Sequence, residues 1–61
     1  MNRLKDYVIQ SGRSQNDIAD MIGVTPMTFN GYVKGTCTPN VLIALEIAKI
    51  LQTSVEDIWD D

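Results

Sequence analysis

The pentapeptide Ile22-Gly23-Val24-Thr25-Pro26 constrains this chain more than any other stretch. Glycine adopts left-handed backbone angles without steric cost, so Gly23 is a helix stop. Proline biases the residue before it away from helical angles, and its own missing N–H costs nothing at a first helical position. Thr25 therefore reads as a helix cap and Pro26 as the start of a new helix. The expectation is two short helices joined by a tight glycine turn, within residues 14–35.

The rest of that stretch agrees. Ser14 is placed to cap the first turn of the earlier helix, where Asp17 adds negative charge favoured by the helix dipole. Ile18, Ala19 and Ile22 form an apolar stripe, with a small residue where a neighbouring helix must come close. In the later helix, Phe29 with Tyr32 or Val33 supplies apolar spacing toward a core. Gly31 lies inside this helix at a cost of about 1 kcal/mol relative to alanine, so packing rather than propensity must hold it. Lys34 and Gly35 close it.

Flanking segments supply the remaining apolar surface. Leu4, Tyr7 and Val8 recur at i, i+3, i+4 over residues 2–10, with Ile9 off that face and Gly12 as the stop. After the polar loop Gly35–Asn40, in which Thr38 and Asn40 are alternative caps, residues 41–51 are the most apolar run of the chain. Ala44, Leu45, Ala48 and Leu51 are expected on one face of a helix there. Ser54, Glu56 and Asp57 open a last short helix through Trp59. Five helices without a strand predict a single all-α domain over residues 1–61.

Composition removes several classes of protein. The chain has no histidine, and one cysteine, Cys37, that reads as a loop residue. A zinc site and an internal disulfide are both excluded on that arithmetic. No apolar stretch approaches the roughly 18 residues of a membrane span, and no signal core opens the chain, so a cytoplasmic protein is expected. Nothing forms a nucleophile–base pair or a glycine-rich phosphate loop, so neither an enzyme nor a cofactor is expected. The formal net charge is −3, unusual for a nucleic-acid binder. Yet Glu56, Asp57, Asp60 and Asp61 concentrate half of the eight acidic residues at the C-terminus. Over residues 1–40 the balance of four basic against three acidic residues is +1. That front is nearly neutral, which predicts weak non-specific affinity for DNA.

With the helices placed, the chain resembles the Cro and lambda-repressor-like (XRE-type) helix-turn-helix family of DNA-binding transcriptional regulators. The resemblance rests on Ser14-Gln15, Ile18-Ala19, Ile22-Gly23-Val24-Thr25, Phe29, Gly35, Pro39, the segment LEIAKIL over 45–51 and the closing S-V-E-D-I-W. It covers nearly the whole chain, from Leu4 to Trp59. In that family the second helix of the pair lies in the major groove while the first crosses the backbone. The resemblance therefore implies double-stranded DNA as partner, with Gln15 reaching a phosphate and Thr25, Met27, Thr28, Asn30 and Gly31 on the exposed side of the recognition helix. Lys34 and Thr36 are implied where the following loop meets the backbone again.

The chemistry of that groove face is unusual. It carries no arginine, lysine or glutamine, the side chains that read guanine or adenine bidentately. Asn30 can pair with an adenine edge, Met27 can pack on a thymine methyl, and Gly31 would let the helix backbone approach DNA closely. Leu42, Ile43, Ile47 and Ile50, with Trp59, extend beyond the apolar stripe that a core needs. They form either a surface covered by the last helix or by Tyr7, or a homodimer interface for a two-fold operator. The expected function is thus a sequence-specific regulator of phage-repressor type without an effector domain. The alternative is a protein-interaction module on a helix-turn-helix scaffold, which the acidic balance and reader-poor helix also suit.

Overall fold

Most of the start and stop signals in the sequence are used, although the last helix ends at Ile58, one residue before the expected Trp59. In a computed structural model that describes residues 2–59, the chain forms α1 (Leu4–Ser11), α2 (Gln15–Ile22), α3 (Pro26–Lys34), α4 (Val41–Ile50) and α5 (Val55–Ile58). No strand is present among the described residues, so the domain is all-α as expected. Asp60 and Asp61, half of the C-terminal acidic group, lie outside the described residues.

Four helices open on a side chain that accepts a first-turn N–H. Ser14 accepts from Asp17 at 3.0 Å, Thr25 from Thr28 at 3.1 Å, Asn40 from Ile43 at 2.9 Å and Ser54 from Asp57 at 3.2 Å. Asn40, not Thr38, is therefore the cap of α4. Each cap satisfies one N–H that the helix itself leaves without a partner, worth about 1 kcal/mol.

α1 starts two residues later than the periodicity suggests, because Asn2 is engaged elsewhere. Its Oδ1 accepts from the Leu4 N–H at 3.0 Å, and its Nδ2 donates to the Tyr32 carbonyl at 2.9 Å. The Arg3 N–H donates to the Ile58 carbonyl at 2.9 Å. Two adjacent residues thus tie the start of α1 to the end of α3 and to α5.

Gly23 ends α2 at φ +79°, and the Val24 N–H then reaches back to the Ala19 carbonyl at 3.0 Å. α4 ends without a glycine: Gln52 takes the left-handed conformation itself, at φ +56°.

Phe29 sits at the centre of the core, fully buried with Leu4, Ile18, Ile47 and Ile58, so every helix contributes one of these five residues. Tyr32 meets Phe29 edge to face, with ring centroids 6.2 Å apart and planes at 77°, a favoured aromatic geometry. Of the Tyr32–Val33 pair, Tyr32 is the more buried and Val33 packs at the core margin. Ala19 is fully buried, and its missing bulk lets a neighbour approach α2.

The face of α4 differs from the expected one. Ala44, Ile47, Ala48 and Leu51 are buried, whereas Leu45 is 46% exposed. The buried set is an i, i+3, i+4, i+7 stripe that fits the helical period. Because α4 is apolar almost all round, no polar residues were there to mark which stripe faces inward.

Candidate nucleic-acid interface

Phe29 and Tyr32 point into the core, and this fixes which side of α3 faces out. At about 100° per residue, the opposite side carries Met27, Gly31 and Lys34 at i, i+4, i+7, with Asn30 beside them. Met27 protrudes most, at 84% exposed. Asn30 is half-buried and Lys34 exposed. α2 braces this helix from behind, through the most extensive helix–helix contact among the described residues.

Thr25 and Thr28 form a small closed unit at the entrance to α3. Thr25 Oγ1 accepts the Thr28 N–H and donates to Thr28 Oγ1 at 2.8 Å. The Thr28 hydroxyl, half-buried, is the acceptor of that bond. Gln15, half-buried, is the first residue of α2. Thr36, exposed, lies in the turn after α3, where its N–H donates to the Gly31 carbonyl at 3.0 Å.

Gly31 does not stand open on the groove face. It is buried, and a methyl group placed on its Cα would lie 3.0 Å from Cys37 Sγ and 3.3 Å from Cys37 Cβ. What its missing side chain admits is the turn of its own chain. Cys37 is correspondingly a packing residue against α3 as well as an exposed loop cysteine. The sequence signal was a glycine in a helix interior, six residues before a small side chain.

The electrostatics of the face are mild. α3 carries no acidic residue, and its one cation, Lys34, lies in the last turn. The exposed acids Asp17 and Asp20 of α2 and the exposed cation Arg13 just before it leave the neighbouring surface close to neutral.

The suggested self-association surface is rearranged. Ile47 is 0% exposed and belongs to the core, while Ile43 and Ile50 are half-buried and packed against it. These three isoleucines therefore make no open face, because the stripe that α4 turns inward includes Ile47. The exposed apolar residues of α4 are instead Val41 (73%), Leu42 (75%) and Leu45. Beside them a groove of about 300 Å³ runs between α4 and α5, lined by Pro39, Val41, Leu45, Val55 and Trp59. Leu42 is not among the residues that line the groove, and Trp59, half-buried, is. No helix is long and apolar enough to cross a membrane, and no cluster of potential metal ligands occurs among the described residues.

Five helices with the α2–turn–α3 unit at the front define the class of this protein as a small helix-turn-helix domain. A helix-turn-helix family model matches residues 4–58, and the chain belongs to that family. It is 33% identical over 58 residues to YgzD of Bacillus subtilis, named as an uncharacterised HTH-type transcriptional regulator; the match covers 95% of this chain and 88% of the relative. A second relative of the same description, from Methanocaldococcus jannaschii, is 34% identical over 58 residues, again covering 95% and 88%. A third, from Archaeoglobus fulgidus, is 30% identical over 61 residues, covering 97% and 87%.

Proposed function

We propose that this protein is a cytoplasmic, sequence-specific DNA-binding transcriptional regulator of phage-repressor or Cro type. α3 lies in the major groove of double-stranded DNA, and a homodimer occupies a two-fold operator. The observation that carries this reading is the row Met27, Gly31 and Lys34, with Asn30 beside it, on the side of α3 opposite Phe29 and Tyr32. The family relationship supports it, since the relatives are named transcriptional regulators.

Each residue then has a role. Asn30 pairs with a base edge, Met27 packs on a thymine methyl, and Thr28 offers its hydroxyl to the DNA. Gln15, Thr25, Lys34 and Thr36 contact phosphates and fix the register. With a single cation on α3 and no arginine or glutamine, specificity leans on apolar contact and DNA shape. The dimer forms through Val41, Leu42 and Leu45 of α4 with Trp59. The exposed apolar area of Val41, Leu42 and Leu45 supports self-association, with Glu46 and Lys49 of α4 exposed beside it. Regulation is by occupancy of the operator, and no cofactor takes part.

Selection of binding sites from random duplex DNA, followed by affinity measurements across a salt series, tests this. The expected result is a site of two related halves about 34–36 Å apart, with affinity falling as salt rises. Failure to enrich any sequence at moderate salt would overturn DNA regulation. The same groove between α4 and α5 would then favour a module that binds another protein.

A further inference from the structure

We infer that Gly31 is a positioning residue: its bare Cα seats the turn 35–37 on the outward face of α3, and this seat fixes where Lys34 and Thr36 meet the DNA backbone. The inference rests on the reading of α3 as the DNA-facing helix.

Two independent attachments converge on this one residue. The Gly31 carbonyl accepts from the N–H groups of Gly35 and Thr36 at 3.0 Å each and of Cys37 at 3.2 Å, with the Thr36 hydroxyl at 3.4 Å. A carbonyl oxygen offers two lone pairs, so the turn is fanned around a single shared acceptor. The second attachment is steric. A methyl group at Gly31 would meet Cys37 Sγ at 3.0 Å and Thr36 Oγ1 at 3.4 Å. The 3.4 Å distance is ordinary contact, whereas 3.0 Å to Sγ, with Cys37 Cβ at 3.3 Å, is tight. The Cys37 side chain therefore stands close against the space a side chain at position 31 would take.

That position is on the outward row, between Met27 and Lys34. Residue 31 therefore sends nothing to the DNA. The later half of the face is made by a turn of the chain rather than by a side chain. Base reading is confined to the first half of α3, through Met27, Thr28 and Asn30, and the second half holds phosphates. A side chain at position 31 would have to push Cys37 back by a few tenths of an ångström, and with it the turn that sets the phosphate contacts.

The test compares Gly31→Ala, Cys37→Ala and the double variant on the selected operator half-site, each checked for helical content. Gly31→Ala should bind roughly tenfold more weakly, with the slope of log affinity against log salt flattened by about one cation. The base preference read by Asn30 should not change. Amide NMR shifts of Thr36 and Cys37 should move. Cys37→Ala alone should bind like the parent, and in the double variant, where the 3.0 Å contact is gone, it should recover most of the loss. A merely structural role would not flatten the salt slope.

Unchanged affinity and slope in Gly31→Ala would overturn the inference. So would a loss that Cys37→Ala does not relieve at all, since removing Sγ removes the tightest contact. If Gly31→Ala does not fold, Cys37→Val enlarges the same contact from the exposed side; it must flatten the slope, and normal binding would overturn the inference. Absence of DNA binding by the parent protein removes the DNA reading and this role together. Parent binding with an indifferent Gly31→Ala removes the role alone.

Discussion

The hydroxyl of Thr25 accepts the Thr28 N–H at 3.1 Å and donates to the Thr28 hydroxyl at 2.8 Å, so one side chain both starts α3 and orients a residue on it. This couples the stability of α3 to the placement of the Thr28 hydroxyl. Thr25→Ala should destabilise the protein by about 1 kcal/mol, a melting point lower by roughly 4–8 °C for a domain of this size. Thr25→Ser should keep both bonds and nearly all of the stability. Thermal denaturation followed by circular dichroism checks both.

Asn30 and Lys34 lie on the same side of α3 and should fail differently. Asn30→Ala should relax base preference at one position in each half-site, at about 1–3 kcal/mol for the preferred base. Lys34→Ala should weaken all sequences alike and reduce the salt slope by about one. A uniform loss from Asn30→Ala would show that it holds phosphate instead. Competition binding with single-base operator variants makes the comparison.

Leu42 and Ile47 are both apolar residues of α4, yet only Leu42 faces solvent. Leu42→Glu should leave the monomer folded and shift its sedimentation from dimer to monomer. Ile47→Glu should unfold it. An unpaired charge in the core costs several kcal/mol, against a total stability of about 5 kcal/mol in so small a domain. Dimers that persist in Leu42→Glu would place the interface elsewhere.

Gln52 is the one described non-glycine residue with positive φ, at +56°. That conformation costs an L side chain about 1 kcal/mol. Gln52→Gly should therefore stabilise the fold slightly, by up to about 1 kcal/mol, less the extra freedom glycine has in the unfolded chain. Urea denaturation should show a higher midpoint with an unchanged slope; a lower midpoint would mean that the Gln52 side chain makes a compensating contact.

Local signals determined most of the architecture. Ser14, Gly23, Thr25-Pro26 and Gly35 mark helix ends through backbone chemistry that acts within a few residues, so the two-helix unit and its boundaries were legible without a fold. Ile18, Ala19 and Phe29 were legible as core because each lies among polar neighbours that fix the inward face. α4 had no such neighbours: in VLIALEIAKI nearly every stripe is apolar, and only packing against the other helices chose Ile47 over Leu45. The groove between α4 and α5 follows from that choice.

Tertiary placement also decided the outward face of α3. The sequence put Gly31 on the outward side of α3, and its helical position does lie there. Only the folded chain brings Cys37 back over it, because the seat depends on the path of a turn that closes on the Gly31 carbonyl. Sequence by itself determined that this protein is an all-α helix-turn-helix domain, because capping and periodicity are local. Which apolar residues stay exposed, and what covers the groove face, are set by contacts between residues far apart along the chain or across a turn, and these exist only once the helices are packed.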